Sequence, residues 1–197
     1  MKNELRDVVI FAGRPKTGKS LFAEWLRIDL GKEFGFPVIN VDMIRDSLAY
    51  IWPELGVRVD TAVTSESFQE YIKRLMWGLK YEAKNNQGVI IEGFEISRKS
   101  LIEYYQPRGA SIYCLGTLDV TPDYYAANIR KNIKLDRWPA NLSDKELLEF
   151  AKNELIASRE LKEFSHNNNL PFYNTALNTR ATYENIRDDV IERLRKK

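Results

Sequence analysis

The sequence predicts an α/β fold in three layers, in which a parallel sheet has helices on both faces. Five short apolar segments, each about as long as a strand, alternate along the chain with segments of helical periodicity. Strands that alternate strictly with helices form parallel sheets that are covered on both sides. The first apolar segment also leads directly into a glycine-containing loop and then into a helical pattern. With 197 residues and no visible linker or repeat, the chain is predicted to form a single domain over 1–197.

Each predicted element has a local signal. The predicted strands are Val8–Ala12, Pro37–Val41, Gly88–Glu92, Ser111–Gly116 and Leu170–Asn174. Helical patterns begin at Lys19, near Met43, at about Ser65, after Ser97, at Thr121, at Ser143 and before Tyr183. Thr121 is followed by Pro122, which suits the first helical turn, and Ser143 has Glu146 three residues later, which makes a capping box. The helix from about residue 65 to 85 has an apolar face with Phe68, Ile72, Leu75, Met76, Leu79 and Ala83.

The loop after the first predicted strand fits the phosphate-binding pattern G-x-x-x-x-G-K-[ST]. Its residues are Gly13, Arg14, Pro15, Lys16, Thr17, Gly18, Lys19 and Ser20, followed by Leu21. The glycines allow the chain to wrap closely around an anion, and the loop N–H groups and the start of the helix then point at phosphates. Lys19 is predicted to bind the β- and γ-phosphates of ATP, and Ser20 to bind Mg²⁺. A chance glycine turn before a helix is the alternative.

Composition narrows the classes of function. The formal net charge of +2 does not by itself indicate a nucleic-acid partner. The only cysteine, Cys114, is expected to be a small core residue, and a chain without an internal disulfide suits the cytoplasm. The only histidine, His166, lies in a polar run that we interpret as a loop, which argues against a Ser-His-Asp hydrolase or a histidine-rich zinc site. We expect neither a signal peptide nor a membrane span.

Acidic and basic residues follow the second and third predicted strands, at the edge where parallel sheets hold their active sites. Asp42 follows the second strand and is a candidate general base, and Arg45, one turn later, is a candidate ligand for an anionic acceptor group. The alternative for Asp42 is to cap a helix that starts at Met43. Glu92 closes the third strand and is a candidate for holding Mg²⁺, or else an acid that pairs with a nearby cation. The sequence does not indicate whether Glu92 or Asp42 is the base. Glu95 is a weaker candidate, with a surface charge as its alternative.

A polar and aromatic segment over about 130–143 is predicted to form a short helical lid. It contains Arg130, Arg137 and Pro139 between two helical patterns. Arginines on a closing lid can neutralise a phosphoryl group in transfer and exclude water. The alternative is a solvated basic helix end, where Arg and Lys favour the helix dipole.

These motifs together resemble the P-loop kinases of the adenylate-kinase-like group. The segment Asn40-x-Asp42-x-x-Arg45-x-Ser47 is similar to the acceptor motif of polynucleotide 5′-hydroxyl kinases, and zeta-toxin-type kinases carry a comparable Asp and Arg. The resemblance implies sheet order 2-3-1-4-5, with Asp42 as general base and Arg45 as acceptor ligand. It also implies that Arg130 and Arg137 contact the ATP phosphates or the adenine from the lid. The Glu92-Gly93 strand end is instead similar to uridine-kinase-like and sugar-kinase-like members. The acceptor-side segment, about 42–64, matches no family pattern over Ala49–Thr64.

The sequence therefore predicts an ATP- and Mg²⁺-dependent kinase that phosphorylates a hydroxyl of a small-molecule or nucleotide-like acceptor. The alternatives are a P-loop ATPase that acts as a switch and a nucleotide-binding module without turnover. A nucleic-acid acceptor is not favoured, although Tyr50, Trp52 and Tyr71 could stack on bases if they do not serve packing. The sequence indicates neither the acceptor nor the oligomeric state.

Overall fold

The central feature of the fold is a five-stranded parallel sheet with the order β2-β3-β1-β4-β5. A computed structural model describes residues 5–31, 35–52, 54, 66–82, 88–132 and 141–196. The strands are β1 (Val8–Gly13), β2 (Val38–Asn40), β3 (Val89–Gly93), β4 (Ser111–Gly116) and β5 (Phe172–Asn174). With helices on both sides of the sheet, the predicted three-layer fold and strand order are confirmed.

At least one helix lies between each strand and the next along the chain. The helices are α1 (Lys19–Gly31), α2 (Val41–Ile51), α3 (Glu66–Glu82), α4 (Arg98–Ser100), α5 (Pro122–Lys131), α6 (Asp144–Asn167) and α7 (Thr179–Arg195). Helix α4 continues as a π-helical turn, Leu101–Tyr105, and a 3-10 turn, Gln106–Arg108. None of the helices in the described part of the chain is both long and apolar enough to cross a membrane.

The chain groups into two compact units. One comprises Met1–Ala12, Lys19–Tyr113 and Tyr183–Lys197, and the other comprises Gly13–Gly18 and Cys114–Thr182. That residues 1–197 form a single domain stays a prediction.

The first unit has an aromatic core around the first strand and helix. The Phe22 ring packs edge-on against Phe11, with ring centroids 6.2 Å apart, and against Tyr183 at 5.8 Å. Trp25 meets the same Tyr183 ring at 5.0 Å. The first and third strands pair in parallel, with Val8 opposite Val89, and all five residues of β3 are buried. A strand buried on both faces reads as a continuous apolar run, which explains why these strands are visible in the sequence.

The second unit packs α5 against α6. Tyr125, Ile129, Leu147, Ala151 and Leu155 form its buried apolar cluster. Burial raises the pKa of Tyr125 to about 12, although a hydrogen bond with Thr117 opposes the rise. In the same unit Cys114 is fully buried in β4, as predicted for a core cysteine.

Strand bounds shift from the sequence prediction by up to two residues, and the largest consequences are at β2, α2 and α6. Strand β2 ends at Asn40, and α2 begins at Val41 instead of near Met43. The Asn40 side chain accepts the Met43 N–H at 2.7 Å, so Asn40 caps the helix, and the prediction that Asp42 could be the cap is wrong. His166 is exposed as expected but lies in the last turn of α6, because that helix extends to Asn167.

The predicted helix caps are confirmed at two places. The Thr121 hydroxyl accepts the Tyr124 N–H at 3.2 Å, with Pro122 in the first turn of α5. The capping box of α6 is complete: Ser143 Oγ accepts the Glu146 N–H at 3.3 Å, and Glu146 Oε2 accepts the Ser143 N–H at 2.8 Å. These bonds satisfy helix-end N–H groups that have no partner within the helix.

We predict that Ser143→Ala lowers the free energy of unfolding by about 1 kcal/mol, because the α6 N-terminus loses its hydroxyl cap. Urea denaturation measures the change. Ser47→Ala is the matched control: Ser47 Oγ bonds back to the Met43 carbonyl within the exposed face of α2. Its unfolding free energy should stay within about 0.5 kcal/mol of the wild type. Equal losses in the two variants would contradict a capping role.

Candidate active site

The phosphate-binding pattern forms a tight loop, Gly13–Gly18, in the second unit. Lys16 and Gly18 have positive φ angles of 63° and 84°. A side chain at position 13 would place its Cβ 2.3 Å from the Leu115 carbonyl oxygen, so only glycine fits there. Left-handed residues that recur along a loop turn successive N–H groups to one side, which is how main-chain anion nests form. The loop therefore has the backbone conformation that its sequence predicts.

Helix α1 in the first unit begins with the two polar residues of the pattern. Lys19 is buried, with 6% of its surface exposed, whereas Ser20 and Leu21 are exposed. Burial of a lysine is costly unless negative charge lies nearby. Here the negative charge is that of Glu92, which interacts electrostatically with Lys19.

Glu92, near the end of β3, is one of two buried acids of this region. Only 1% of its surface is exposed, and strand pairing places it opposite Asn40, whose side-chain amide donates to Glu92 Oε1. Burial raises the pKa of Glu92; the charge of Lys19 and the hydroxyl of Ser20 oppose that rise, and the charge of Asp42 adds to it. Three groups of the predicted site therefore act on one carboxylate.

The residues around Glu92 fit a divalent cation. Glu92 Oε2 is fully buried and receives no hydrogen bond of ordinary geometry from any described residue. A buried oxygen of this kind normally has a partner, and a carboxylate with a serine hydroxyl is the donor set that Mg²⁺ uses beside phosphates. No group of three or more His, Cys, Asp or Glu side chains with metal-binding geometry occurs in the part of the chain that the structure describes.

Asp42 lies in the first turn of α2 and is fixed from the neighbouring strand end. Its Oδ1 accepts the Phe94 N–H at 2.9 Å. Gly93 permits this approach, because a Cβ there would lie 2.7 Å from Val41 Cβ and 3.0 Å from the Asp42 carboxylate. The side chain is half-buried, and it is close enough to Glu92 to act on the pKa of that residue. This orientation suits a base that must meet a hydroxyl in one defined position.

Arg45 is held by two carboxylates. Its Nη2 lies 2.7 Å from Asp46 Oδ1, and its Nη1 donates to Glu95 Oε1. The Glu95 side chain has no exposed surface, so the prediction that Glu95 could be a surface charge is wrong. Partial burial would lower the pKa of Arg45, but the bonds to Asp46 and Glu95 raise it overall. Arg45 is therefore positioned before any acceptor binds.

Gln69 on α3 is a residue of this region that sequence reasoning missed. Its side-chain amide donates to the Glu95 carbonyl at 2.7 Å, and its oxygen accepts the Ser97 N–H at 3.1 Å. The two bonds fix the loop after β3 that carries Phe94 and Glu95. The available signal in the sequence was an amide beside Phe68, at the edge of the apolar face of a predicted helix. In the structure Gln69 is buried, and a buried amide needs hydrogen-bond partners.

The structure describes only the two ends of the segment predicted to form the lid. Arg130 Nη2 at the end of α5 donates to the Leu142 carbonyl at 2.9 Å and to Asp144 Oδ1 at 2.8 Å. These bonds join the C-terminal end of α5 to the N-terminal end of α6 in the second unit. Arg137 and the rest of 133–140 lie outside the described residues, as does most of the acceptor-side segment after Trp52.

Comparison with solved structures shows the fold. Shikimate kinase from Bacteroides thetaiotaomicron is similar with a TM-score of 0.53 and 17% identity, over 95% of this chain and 98% of that chain. The YorR protein of Bacillus subtilis, solved with phosphorylated GDP, has a TM-score of 0.48 and 16% identity over 95% of each chain. A gluconokinase from Sinorhizobium meliloti 1021 has a TM-score of 0.42 and 12% identity over 77% of this chain and 75% of that chain.

The similarity to shikimate kinase means that this chain has the fold of a P-loop kinase. At this level of identity the likeness reports on the fold alone. No family model and no curated protein sequence matches the chain.

We predict that Arg45→Ala lowers the free energy of unfolding by about 3 kcal/mol, because the fully buried Glu95 carboxylate loses its charged partner. Urea denaturation is the measurement. Arg27→Ala, which breaks an exposed pair with Glu24 on α1, should lower the free energy of unfolding far less than Arg45→Ala does, because solvent screens an exposed ion pair. The double variant Arg45→Ala/Glu95→Gln should recover part of the loss, since the orphaned charge is removed. A loss for Arg45→Ala no larger than that of the control would contradict the buried pair.

Proposed function

We propose that the protein is a Mg²⁺-dependent phosphotransferase that moves the γ-phosphoryl group of ATP to a hydroxyl group of a small-molecule or nucleotide-like acceptor. The observation that carries the proposal is the set of groups around Glu92. A loop lysine, a serine hydroxyl and a candidate base all interact with this one buried carboxylate at the end of a central strand. Phosphoryl transfer depends on positioning and on charge stabilisation, and these are the groups that supply both.

The proposed roles follow from the chemistry of each group. Lys19 and the N–H groups of the loop bind the phosphates. Ser20 and Glu92 would hold Mg²⁺, which when bound neutralises charge on the phosphate oxygens. Asp42, held by the Phe94 N–H, orients the acceptor hydroxyl and takes its proton. Arg45 contacts the acceptor, and Arg130 and Arg137 are proposed to act on the phosphates from the predicted lid.

The resemblance of Asn40-x-Asp42-x-x-Arg45-x-Ser47 to polynucleotide 5′-hydroxyl kinases and zeta-toxin-type kinases supports a nucleotide-like acceptor. Tyr50 and Trp52, at the end of α2, are 80% and 55% exposed, so packing does not account for them. Exposed aromatic rings can stack on bases. The acceptor panel should therefore contain nucleosides and 5′-hydroxyl oligonucleotides beside sugars and antibiotics.

Lys19→Ala should reduce ATP turnover by about a hundredfold or more, because the buried ammonium that faces the developing phosphate charge is lost. Steady-state phosphate or ADP release is the measurement. Lys152→Ala, on the exposed face of α6, removes a comparable ammonium and should leave turnover unchanged. Turnover by Lys19→Ala within about threefold of the wild type would overturn the loop assignment.

Asp42→Asn should lower acceptor phosphorylation by at least about a hundredfold, because an amide cannot take the hydroxyl proton. ATP affinity by calorimetry should change by less than about threefold, since the side chain remains isosteric. The control Asp188→Asn makes the same change in an exposed ion pair on α7 and should leave both quantities unchanged. Full activity of Asp42→Asn would remove Asp42 from the chemistry.

Offering the acceptor panel to the wild-type protein with Mg²⁺ and γ-labelled ATP tests the function itself. A kinase transfers label to one class of acceptor and hydrolyses ATP slowly without it. Hydrolysis that no acceptor changes would identify an ATPase instead, and binding without turnover would identify a nucleotide-binding module.

A further inference from the structure

A phosphate-binding loop must turn its carbonyl groups away from the phosphates. Main-chain N–H groups attract an anion, whereas carbonyl oxygens that face the same space repel it. A carbonyl that points away from the phosphates still needs a hydrogen-bond partner, so a donor on that side stabilises its orientation. The donors behind the loop therefore decide whether the cradle exists before nucleotide binds.

Two successive carbonyls of the loop accept side-chain hydrogen bonds. The Thr17 hydroxyl donates to the Arg14 carbonyl at 2.8 Å. The Tyr125 hydroxyl, from α5, donates to the Pro15 carbonyl at 3.3 Å. Thr17 and Tyr125 are 2% and 3% exposed, so both bonds are sheltered from water.

The side chain of Arg14 is fastened as well. Its Nε lies 2.9 Å from Glu154 Oε2, and its Nη2 lies 2.7 Å from Glu154 Oε1, which is the paired geometry of a guanidinium and a carboxylate. The Glu154 side chain is 5% exposed and lies among the buried residues of α6, between Ala151 and Ser158. A charge buried in the middle of a helix is retained at a cost, and this one is matched by a residue of the phosphate loop.

We propose that Glu154 and Tyr125 are positioning residues that preform the nucleotide loop from behind. They fix two groups of the loop, the Arg14 side chain and the Pro15 carbonyl, on either side of the Arg14 carbonyl that Thr17 holds. Arg14 then serves as the fastening between loop and helix, and its charge is neutralised by Glu154 instead of being directed at phosphate. The inference rests on the proposed function in one respect, namely that the loop binds a nucleoside triphosphate.

The test compares ATP with AMP, which lacks the β- and γ-phosphates. Binding to the full chain is measured with Mg²⁺ by calorimetry, well below the unfolding temperature of each variant. Glu154→Gln keeps the shape of the side chain but removes its charge, and we expect ATP to bind about tenfold more weakly, as the loss of one charge-assisted pair predicts. Tyr125→Phe should weaken ATP binding about threefold, because its bond to Pro15 is the longer one. AMP affinity should change less than twofold in both.

Glu149→Gln is the matched control, since it makes the same substitution on α6 in an exposed pair with Lys152. It should bind ATP as the wild type does. The single variant Arg14→Gln and the double variant Arg14→Gln/Glu154→Gln complete the cycle. The double variant should have the same ATP affinity as whichever single variant binds ATP more weakly, because both changes break the same ion pair.

Three results would overturn the inference. ATP affinity of Glu154→Gln equal to that of the control means that the loop does not depend on Glu154. Equal weakening of ATP and AMP means a general structural effect and no action on the phosphate loop. If the wild type does not bind ATP, the proposed function and this inference both fail. If the wild type binds ATP and Glu154→Gln binds it equally well, only this inference fails.

Discussion

The burial of Glu92 at the end of a central strand is the constraint on which the rest of the candidate site depends. An ionised carboxylate in that position needs compensation, and Asn40, Lys19 and Ser20 supply part of it, whereas the charge of Asp42 acts against it. Asn40 donates to one oxygen, and Lys19 opposes the rise in the Glu92 pKa. Asn40 also caps α2, so the residue that satisfies Glu92 sets where the helix with Asp42 and Arg45 begins. A single buried charge thus links the first two helices to the third strand.

The loop after β3 carries a second buried carboxylate, that of Glu95, which also needs compensation. Glu95 is removed from water, and Arg45 supplies the opposite charge, while Gln69 holds the main chain on both sides of it. This arrangement directs the Phe94 N–H toward Asp42. The candidate base is therefore positioned by a network in which Gln69 and Glu95 have no proposed contact with a substrate. A change in Gln69 or Glu95 would still alter the position of Asp42 through the backbone.

Features that depend on neighbouring residues were predictable from the sequence, and those that depend on distant partners were not. The strands follow from short β-branched runs, the loop from its glycines, and the α6 capping box from two residues three apart. The burial of Glu154 depends on a pairing with Arg14, 140 positions away, which no local pattern specifies. Even so, Glu154 lies on the helical stripe of Ala151, Leu155 and Ser158, and a charge on a buried stripe indicates a hidden partner. Asn40 and Asp42 are both good caps by type, and only the pairing of Asn40 with Glu92 decides between them.

Each of the three described arginines that the sequence predicted at the site is paired with a carboxylate. Arg14 pairs with Glu154, Arg45 with Glu95 and Asp46, and Arg130 with Asp144. An arginine that is already paired can still offer further N–H donors, but any charge it lends to a phosphate is shared with a carboxylate. Under the proposed function, positive potential for a triphosphate would then come chiefly from Lys19, from the main-chain N–H groups of the loop and from a bound cation. Because main-chain groups attract an anion only in the right conformation, a site of this composition depends on the shape of its loop more than on the number of its basic side chains. If the loop binds a nucleotide as proposed, the residues that hold its conformation, Glu154 and Tyr125, contribute to that binding without facing the nucleotide.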